Sequence, residues 1–349
     1  MTEEINNAYS SEDEESEMYE HHHFDVDPGQ ESIRIDKFLF SRIPNASRNK
    51  IQQAAKAGNI LVNDKSIKSN YKVKAKDSIS IVMSEPPRDR TVHPENIPLD
   101  IVYEDDEILV VNKAAGMVVH PAYGNFTGTL VNALKYHFIQ NGIAEENAHP
   151  LLVHRIDKDT SGIMVVAKTE LMQSALARLF FYHDIERKYQ ALVWGDFEEE
   201  SGTIQGHIGR DLKDRKKMAV FPDASYGKEA ITHYQVLERF HYVSLLECQL
   251  ETGRTHQIRA HLSYLNHSLF NDEKYGGNRI RKGTTFTKYK QFVENCFAII
   301  PRQALHAKSL GFKNPLNGKA MFFDSELPQD MQESIDKWRH YIRFQKEFS

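Results

Sequence analysis

The chain has 349 residues, 40% of them apolar, and a formal net charge of −5, enough material for one large core and a small second one. It has no run of about 18 uninterrupted apolar residues and no basic segment leading into an apolar one, which argues against a membrane span and Sec-type export and for the cytosol. Cys248 and Cys296 stand far apart, neither with a Cys or His at ligand spacing, which argues against a disulfide framework and a structural zinc site.

Residues 1–31 carry 11 acidic side chains and no Lys or Arg. Lacking an apolar period, residues 1–32 are expected to form a disordered acidic tail. Consecutive His21, His22 and His23 in such a tail define no coordination geometry, so they read as solvated spacers and no metal is expected. Without residues 1–31, 44 basic groups face 38 acidic ones, and residues 34–90 alone hold 13 basic against 5 acidic. That asymmetry fits a docking surface for a polyanion; a merely solvated Lys-rich face is the alternative.

Residues 33–83 read as helix, helix, then strands. Asp36 is placed to cap a short helix through Ile43, and Ser47 to cap a second that Gly58 ends, with Ile51, Ala54 and Ala55 facing inward. Ile60-Leu61-Val62 before Asn63-Asp64-Lys65 reads as a strand and turn, and Val73 to Val82 alternates apolar with polar. Arg42, Arg48, Lys50 and Lys56 then fall on polar helix faces. The opening Asp36-Lys37-Phe38-Leu39, the Ser47–Gly58 helix and the Ile60–Asn63 strand together resemble the S4 RNA-binding domain, a small α/β unit. That resemblance implies an RNA contact through Arg42, Arg48 and Lys50.

Ser84 to Asn96, with three prolines, reads as a linker over residues 84–97. Over 98–349 short β-rich segments recur at Ile108–Asn112, Leu151–Val153, Ile163–Ala167, Tyr189–Val193, Tyr242–Gln249 and Met321–Phe323. Helical patterns occupy Leu130–Ile139, Leu171–Phe181 and Thr255–Leu265, and residues 326–349 end in a surface helix. The expected class is α+β, with a mainly antiparallel mixed sheet and helices against it.

The most informative stretch is His154-Arg155-Ile156-Asp157-Lys158-Asp159-Thr160-Ser161-Gly162, a polar loop between two apolar strands, where a scaffold can present charged groups. Taken alone, Asp157 or Asp159 reads more readily as a turn-former that bonds its own backbone. The stretch resembles the central H-R-L-D-x-x-T-S-G motif of the RluA-type pseudouridine synthases, with Ile156 in place of Leu. Asn112-Lys113-Ala114-Ala115-Gly116 is similar to that family's N-K-P-x-G motif, Ala114 standing where Pro is usual. Arg187-Lys188-Tyr189-Gln190-Ala191-Leu192-Val193 and Thr252-Gly253-Arg254-Thr255-His256-Gln257-Ile258-Arg259 resemble its two remaining motifs. The four occur in family order over roughly residues 100–325.

The resemblance implies isomerisation of uridine to pseudouridine in RNA: the C1′–N1 bond breaks, the base turns over, and C5 joins C1′. It implies no cofactor and no metal. Asp157 is the implied catalytic carboxylate, able either to add at the sugar or to take the C2′ proton. Arg259 is its implied cationic partner, and Tyr189 the implied ring against the detached uracil. Arg155 is implied to fill the stack that the flipped base vacates. Arg254 either meets RNA or structures its turn, and the basic strip Gly209–Met218, with Arg210, Arg215 and Lys216, grips RNA or is a solvated face.

An S4-like domain ahead of such a catalytic domain resembles the RluD-like branch, which acts on large-subunit (23S) ribosomal RNA. Ribosomal RNA or its precursor is thus the expected partner, for a cytoplasmic monomer. Transfer RNA as substrate, and a non-catalytic RNA-binding or ribosome-assembly protein, are the alternatives. A two-carboxylate glycosidase fits the basic segments less well.

Overall fold

An apolar run such as Ile163-Met164-Val165-Val166-Ala167 is stable as a strand only if both faces of its sheet are covered, and that requirement organises the molecule. The computed structural model describes residues 19–43, 46–83, 92–121 and 125–347, and the chain divides between Thr91 and Val92 into two units.

In the first unit, β1 (Tyr19–Asp25), α1 (Ile35–Phe40), α2 (Arg48–Lys56), β2 (Ile60–Val62), β3 (Lys65–Ser66) and β4 (Ser78–Met83) follow in order. The sheet runs β1-β4-β2-β3, all antiparallel, over a core of Ile35, Phe38, Leu39, Ile51, Ile60, Val73 and Ile79. Two expectations need correction. The tail read as disordered through residue 32 supplies β1, because Phe24 packs on this core, edge-on to Phe38, and Val26 is buried in it. Residues 1–18 lie outside the described ones.

Asp36 is not a cap. Its carboxylate is fully buried and accepts from Arg34 Nε (3.0 Å), Arg48 Nη2 (2.9 Å) and Gln52 Nε2 (2.8 Å), tying the two helices together. Burial alone would raise its pKa; the bonds from Arg34, Arg48 and Gln52 outweigh that and hold it well below the usual carboxylate range. Ser47 does cap α2, accepting from the Lys50 N–H, and Gly58 follows the helix at φ +82°.

The second unit contains β5 (Ile101–Glu104), β6 (Ile108–Lys113), α3 (Leu130–Gln140), β7 (Leu151–Leu152), β8 (Ser161–Ala167), α4 (Glu170–Tyr182), β9 (Glu186–Trp194), β10 (Ser201–Arg210), β11 (Met218–Phe221), β12 (Lys228–Arg239), β13 (Val243–Leu250), α5 (Gln257–Tyr264), α6 (Thr287–Ile299), β14 (Leu305–Lys313), β15 (Ala320–Asp324) and α7 (Gln329–Glu347). Its eleven strands run β11-β10-β12-β13-β9-β14-β8-β6-β5, with β15 on β14 and β7 on β8. One face buries Leu109, Val111, Met164 and Val166 with Leu130 and Leu134 of α3 and Ile258 and Leu262 of α5. The other buries Ile108, Val110, Ile163 and Val165 with Met172 and Leu176 of α4. Burial on both sides is why β6 and β8 read as continuous apolar runs.

Residues 92–97, read as linker, are fastened to this unit: Lys135 Nζ donates to the Val92 carbonyl (3.1 Å) and Asn132 Nδ2 to that of His93 (2.8 Å). Nor is α7 a surface helix. Met331, Ile335 and Trp338 are fully buried, packed with Trp194, Phe270 and Val293.

The parallel contact of β8 with β14, Ser161 opposite His306 and Gly162 opposite Ala307, joins the two antiparallel parts of the sheet. Gly162 sits there at φ +120°, and a Cβ on it would come 2.2 Å from the Ala307 carbonyl oxygen. Gly162→Ala is therefore expected to destabilise the protein by about 3 kcal/mol or more, from left-handed strain plus the clash. Urea unfolding would measure it, and a loss below 1 kcal/mol would contradict this close approach.

Candidate active site

The loop 154–160 leaves β7 and enters β8, and its shape is fixed by ties to three neighbours. Lys113, at the end of β6 and almost fully buried, donates from Nζ to the carbonyls of Ala114 (2.6 Å), Met117 (2.9 Å) and Lys158 (3.0 Å). Burial pulls its pKa down to about 7, while the three carbonyls together accept all three protons of the ammonium form. Arg302 Nη1 donates to the Asp159 carbonyl (2.9 Å), and its Nε and Nη2 engage Asp330 of α7. His154 accepts the Val165 N–H at Nε2 (3.0 Å) and stacks on Phe180 at 4.6 Å, so the first residue of the motif ties the loop to β8 at the cavity wall.

The loop delivers Asp157 to a cavity of about 520 Å³ that is also lined by Arg155, Phe180, Phe181, Tyr189, Arg254, His256 and Arg259. Asp157 and Arg259, 102 residues apart, meet there: Arg259 Nη1 donates to Asp157 Oδ2 at 2.9 Å. The same guanidinium donates from Nε and Nη2 to both oxygens of Asp272, at 2.7 and 2.9 Å. Asp272 is fully buried and Arg259 nearly so, whereas the Asp157 side chain keeps 21% of its surface. One arginine thus spans a buried anchor and an accessible carboxylate. Burial opposes its charge; Asp272 and then Asp157 more than offset that and raise its pKa above the ordinary value.

The preceding loop is folded by Gln257. Its Oε1 accepts from the Thr252 hydroxyl and the Arg254 N–H, and its Nε2 donates to the Ile231 carbonyl and the Thr232 hydroxyl. Arg254 donates from Nε to the Glu229 carbonyl (2.9 Å) while lining the cavity.

A second set of contacts runs toward Asp157 through His256. The Met218 N–H donates to the Tyr275 hydroxyl (3.0 Å), and that hydroxyl hydrogen-bonds His256 Nδ1, also at 3.0 Å. His256 Nε2 faces Asp157 Oδ2 at 3.9 Å. Burial, opposed by Asp157 and reinforced by Arg259, pulls its pKa to about 4, so the ring is neutral. Tyr189 is buried in β9 with its pKa raised by burial, hence a neutral phenol.

Arg155 is exposed at the rim. Arg210, Arg215 and Lys216 are exposed at the β10–β11 tip, where Arg210 Nη1 donates to the Arg215 carbonyl. In the first unit Lys50 is exposed, whereas Arg48 is held by Asp36 and Arg42 lies 3.7 Å over the Phe38 ring and donates to Gln30. The sequence reading missed Asp272, Tyr275, His256, Lys113 and Arg302. Lys113 and His256 stand inside recognised motifs; no period or motif points to Asp272, Tyr275 or Arg302.

Two outcomes follow from this geometry. Asp272→Ala leaves the buried Arg259 without its anchor and should lower unfolding stability by about 3–5 kcal/mol; a loss under 1 kcal/mol by urea unfolding would show that the anchor is dispensable. His154 is held at about 3, and His256, His261 and His306 at about 4, each chiefly by burial. Because these folded-state values are depressed, the unfolded chain takes up protons first as the pH falls below about 6.5. Stability should therefore drop between pH 6.5 and 4, and a urea midpoint that stays flat from pH 7 to 5 would contradict neutral buried rings.

Residues 107–264 match the RNA pseudouridylate synthase family and residues 33–79 match the S4 domain. A Chlorobaculum parvum protein named uncharacterized RNA pseudouridine synthase is 46% identical over 90% of this chain and 97% of its own length. The ribosomal large subunit pseudouridine synthase D of Zymomonas mobilis is 43% identical, over 86% of this chain and 92% of its own. The solved human RNA pseudouridylate synthase domain containing 4 shares the fold, with a TM-score of 0.52 at 23% identity over 68% of this chain and 92% of that one. With identity of this extent along nearly its whole length, the chain belongs to the RNA pseudouridine synthase family and carries an S4 domain ahead of the catalytic unit.

Proposed function

We propose that this isomerase converts specific uridines of large-subunit ribosomal RNA to pseudouridine, acting as a cytoplasmic monomer with Asp157 as its catalytic carboxylate. The observation that carries the assignment is the Arg259 bridge, which holds one accessible carboxylate, Asp157, against a fully buried one, Asp272, at the cavity. An arginine so anchored fixes its partner's position and orientation at the cavity. The carboxylate serves as nucleophile at C1′, its bond to C1′ forming as C1′–N1 breaks and breaking again when C5 bonds there, or as base at C2′, taking that proton as C1′–N1 breaks and returning it as C5 bonds to C1′; in either route the base turns between the two steps and the C5 proton leaves as N1 gains one. Tyr189, a neutral ring in the cavity wall, presses against the detached uracil. His256 presents its Nε2 beside the carboxylate, where a ribose hydroxyl would pass.

Arg155 enters the stack that the flipped uridine leaves, which offsets part of an unstacking cost of a few kcal/mol. Arg254, the β10–β11 tip with Arg210, Arg215 and Lys216, and Arg42, Arg48 and Lys50 of the S4 unit meet phosphates. The ribosomal substrate is supported by relatives named ribosomal large subunit pseudouridine synthase D, 38–43% identical to this chain. Among the described residues no helix is long and apolar enough to cross a membrane.

The test is to incubate the protein and its Asp157→Asn variant with unmodified large-subunit ribosomal RNA and with bulk tRNA transcripts, then map pseudouridine by carbodiimide-blocked primer extension. The wild type should modify ribosomal RNA, and the variant should bind it while its rate falls by at least about 10³-fold. Modification of tRNA alone would overturn the substrate and keep the mechanism; full activity in the variant would overturn Asp157.

A further inference from the structure

The last turn of α4 carries a run of three aromatic residues, Phe180-Phe181-Tyr182, and the helix stops at once: His183 adopts the left-handed conformation at φ 63° and its N–H closes on the Leu179 carbonyl. Phe180 points inward, stacked on His154 and 5.4 Å from the Arg187 guanidinium. Phe181 and Tyr182 point outward, 74% and 63% exposed, held edge to face at 5.0 Å so that their outer faces stay open. A single exposed ring carries no message. Phe286 and Phe322 are as exposed, but neither lines the cavity of Asp157, whereas Phe181 does.

Charge adds a second, independent observation. Arg178 is exposed one turn before these rings, three residues from Phe181 and four from Tyr182, so it lies on their side of the helix. It makes no hydrogen bond or ion pair among the described residues. A free guanidinium beside open ring faces, at the lip of a cavity that takes a nucleotide, has the composition of a single-stranded nucleic-acid site: rings for bases, a cation for phosphate.

We propose that the last turn of α4 is a binding strip for the unpaired RNA segment adjoining the target uridine, with Phe181 stacking on a neighbouring base, Tyr182 supporting that ring, and Arg178 contacting a phosphate. This rests on the reading that the Asp157 cavity receives the flipped nucleotide. When the target leaves its stack, each neighbouring base loses a partner, and a ring fixed at the lip replaces it. A ring accepts any base, so the strip contributes affinity and positioning rather than sequence choice.

The experiment uses full-length protein in the Asp157→Asn background, to prevent turnover, and an RNA fragment around the mapped uridine. Affinity is measured for the parent, Phe181→Ala and Arg178→Ala, with intact RNA and with RNA abasic at the nucleotide on either side of the target. Phe181→Ala should weaken binding of intact RNA about tenfold and have no effect on one of the two abasic RNAs, because the two deletions remove the same contact. Arg178→Ala should lower the slope of log K against log salt by about 0.7, one single-strand phosphate. Phe181 is exposed, so its removal should leave the melting temperature unchanged. An equal loss on all three RNAs, or no loss on any, overturns the stacking site. A parent that binds the fragment no better than a scrambled one overturns the functional reading itself, and this strip with it.

Discussion

Everything at the site depends on one guanidinium shared between two carboxylates. Arg259 gives two of its donors to Asp272, which is fully buried, and one to Asp157, which is not. A buried charge is costly unless paired and hydrogen-bonded; here the pair Arg259–Asp272 is the buried element and Asp157 its accessible extension. The same anchor reaches Tyr275, whose N–H donates to Asp272 and whose hydroxyl orients His256. The carboxylate, its cation and the neighbouring imidazole are therefore positioned by one polar cluster beneath the cavity. Arginine suits the task because its planar fork can bind one carboxylate through two nitrogens and still offer a third.

Such a cluster is useful only if the loop bearing Asp157 is equally rigid. Three elements hold it: β6 through Lys113, α7 through Arg302 and Asp330, and β8 through His154. Ser161 adds a fourth restraint, its hydroxyl bonded to His306 of β14, which in turn meets Ser325. Two of these anchors, Lys113 and His154, stand inside the family motifs, and each is hydrogen-bonded to backbone in or beside the loop.

Local pattern made part of this legible. Strands β6 and β8 are continuous apolar runs of strand length, and α3 and α5 carry helical periods, so their existence could be read directly. By contrast β10 and β12 alternate irregularly, with Gly202, Gly206, Gly209 and His207 interrupting the first, and they gain their burial from α5 and Tyr275 rather than from their own pattern. Asp36 looked like a helix cap because capping is a local rule, yet the carboxylate turns inward toward Arg48 and Gln52, more than ten residues on. The acidic count of the first thirty residues hid the two apolar side chains, Phe24 and Val26, that secure β1. Motif resemblance supplied Asp157, Arg259 and Tyr189 as candidates, while Asp272 stayed invisible: it lies 13 residues beyond Arg259, and only the tertiary fold relates them.

The parallel contact between β8 and β14 bears on how the protein comes into being. Ser161 and His306 are 145 residues apart in the chain, so the loop of Asp157 cannot take its final shape while the ribosome has yet to release β14. Pairings of such sequence separation form slowly and late. During synthesis the S4 unit, whose most distant pairing sets Tyr19 opposite Met83, has all its strands out long before β14 emerges. The first unit's sheet can thus be complete while the loop of Asp157 still lacks its partner strand.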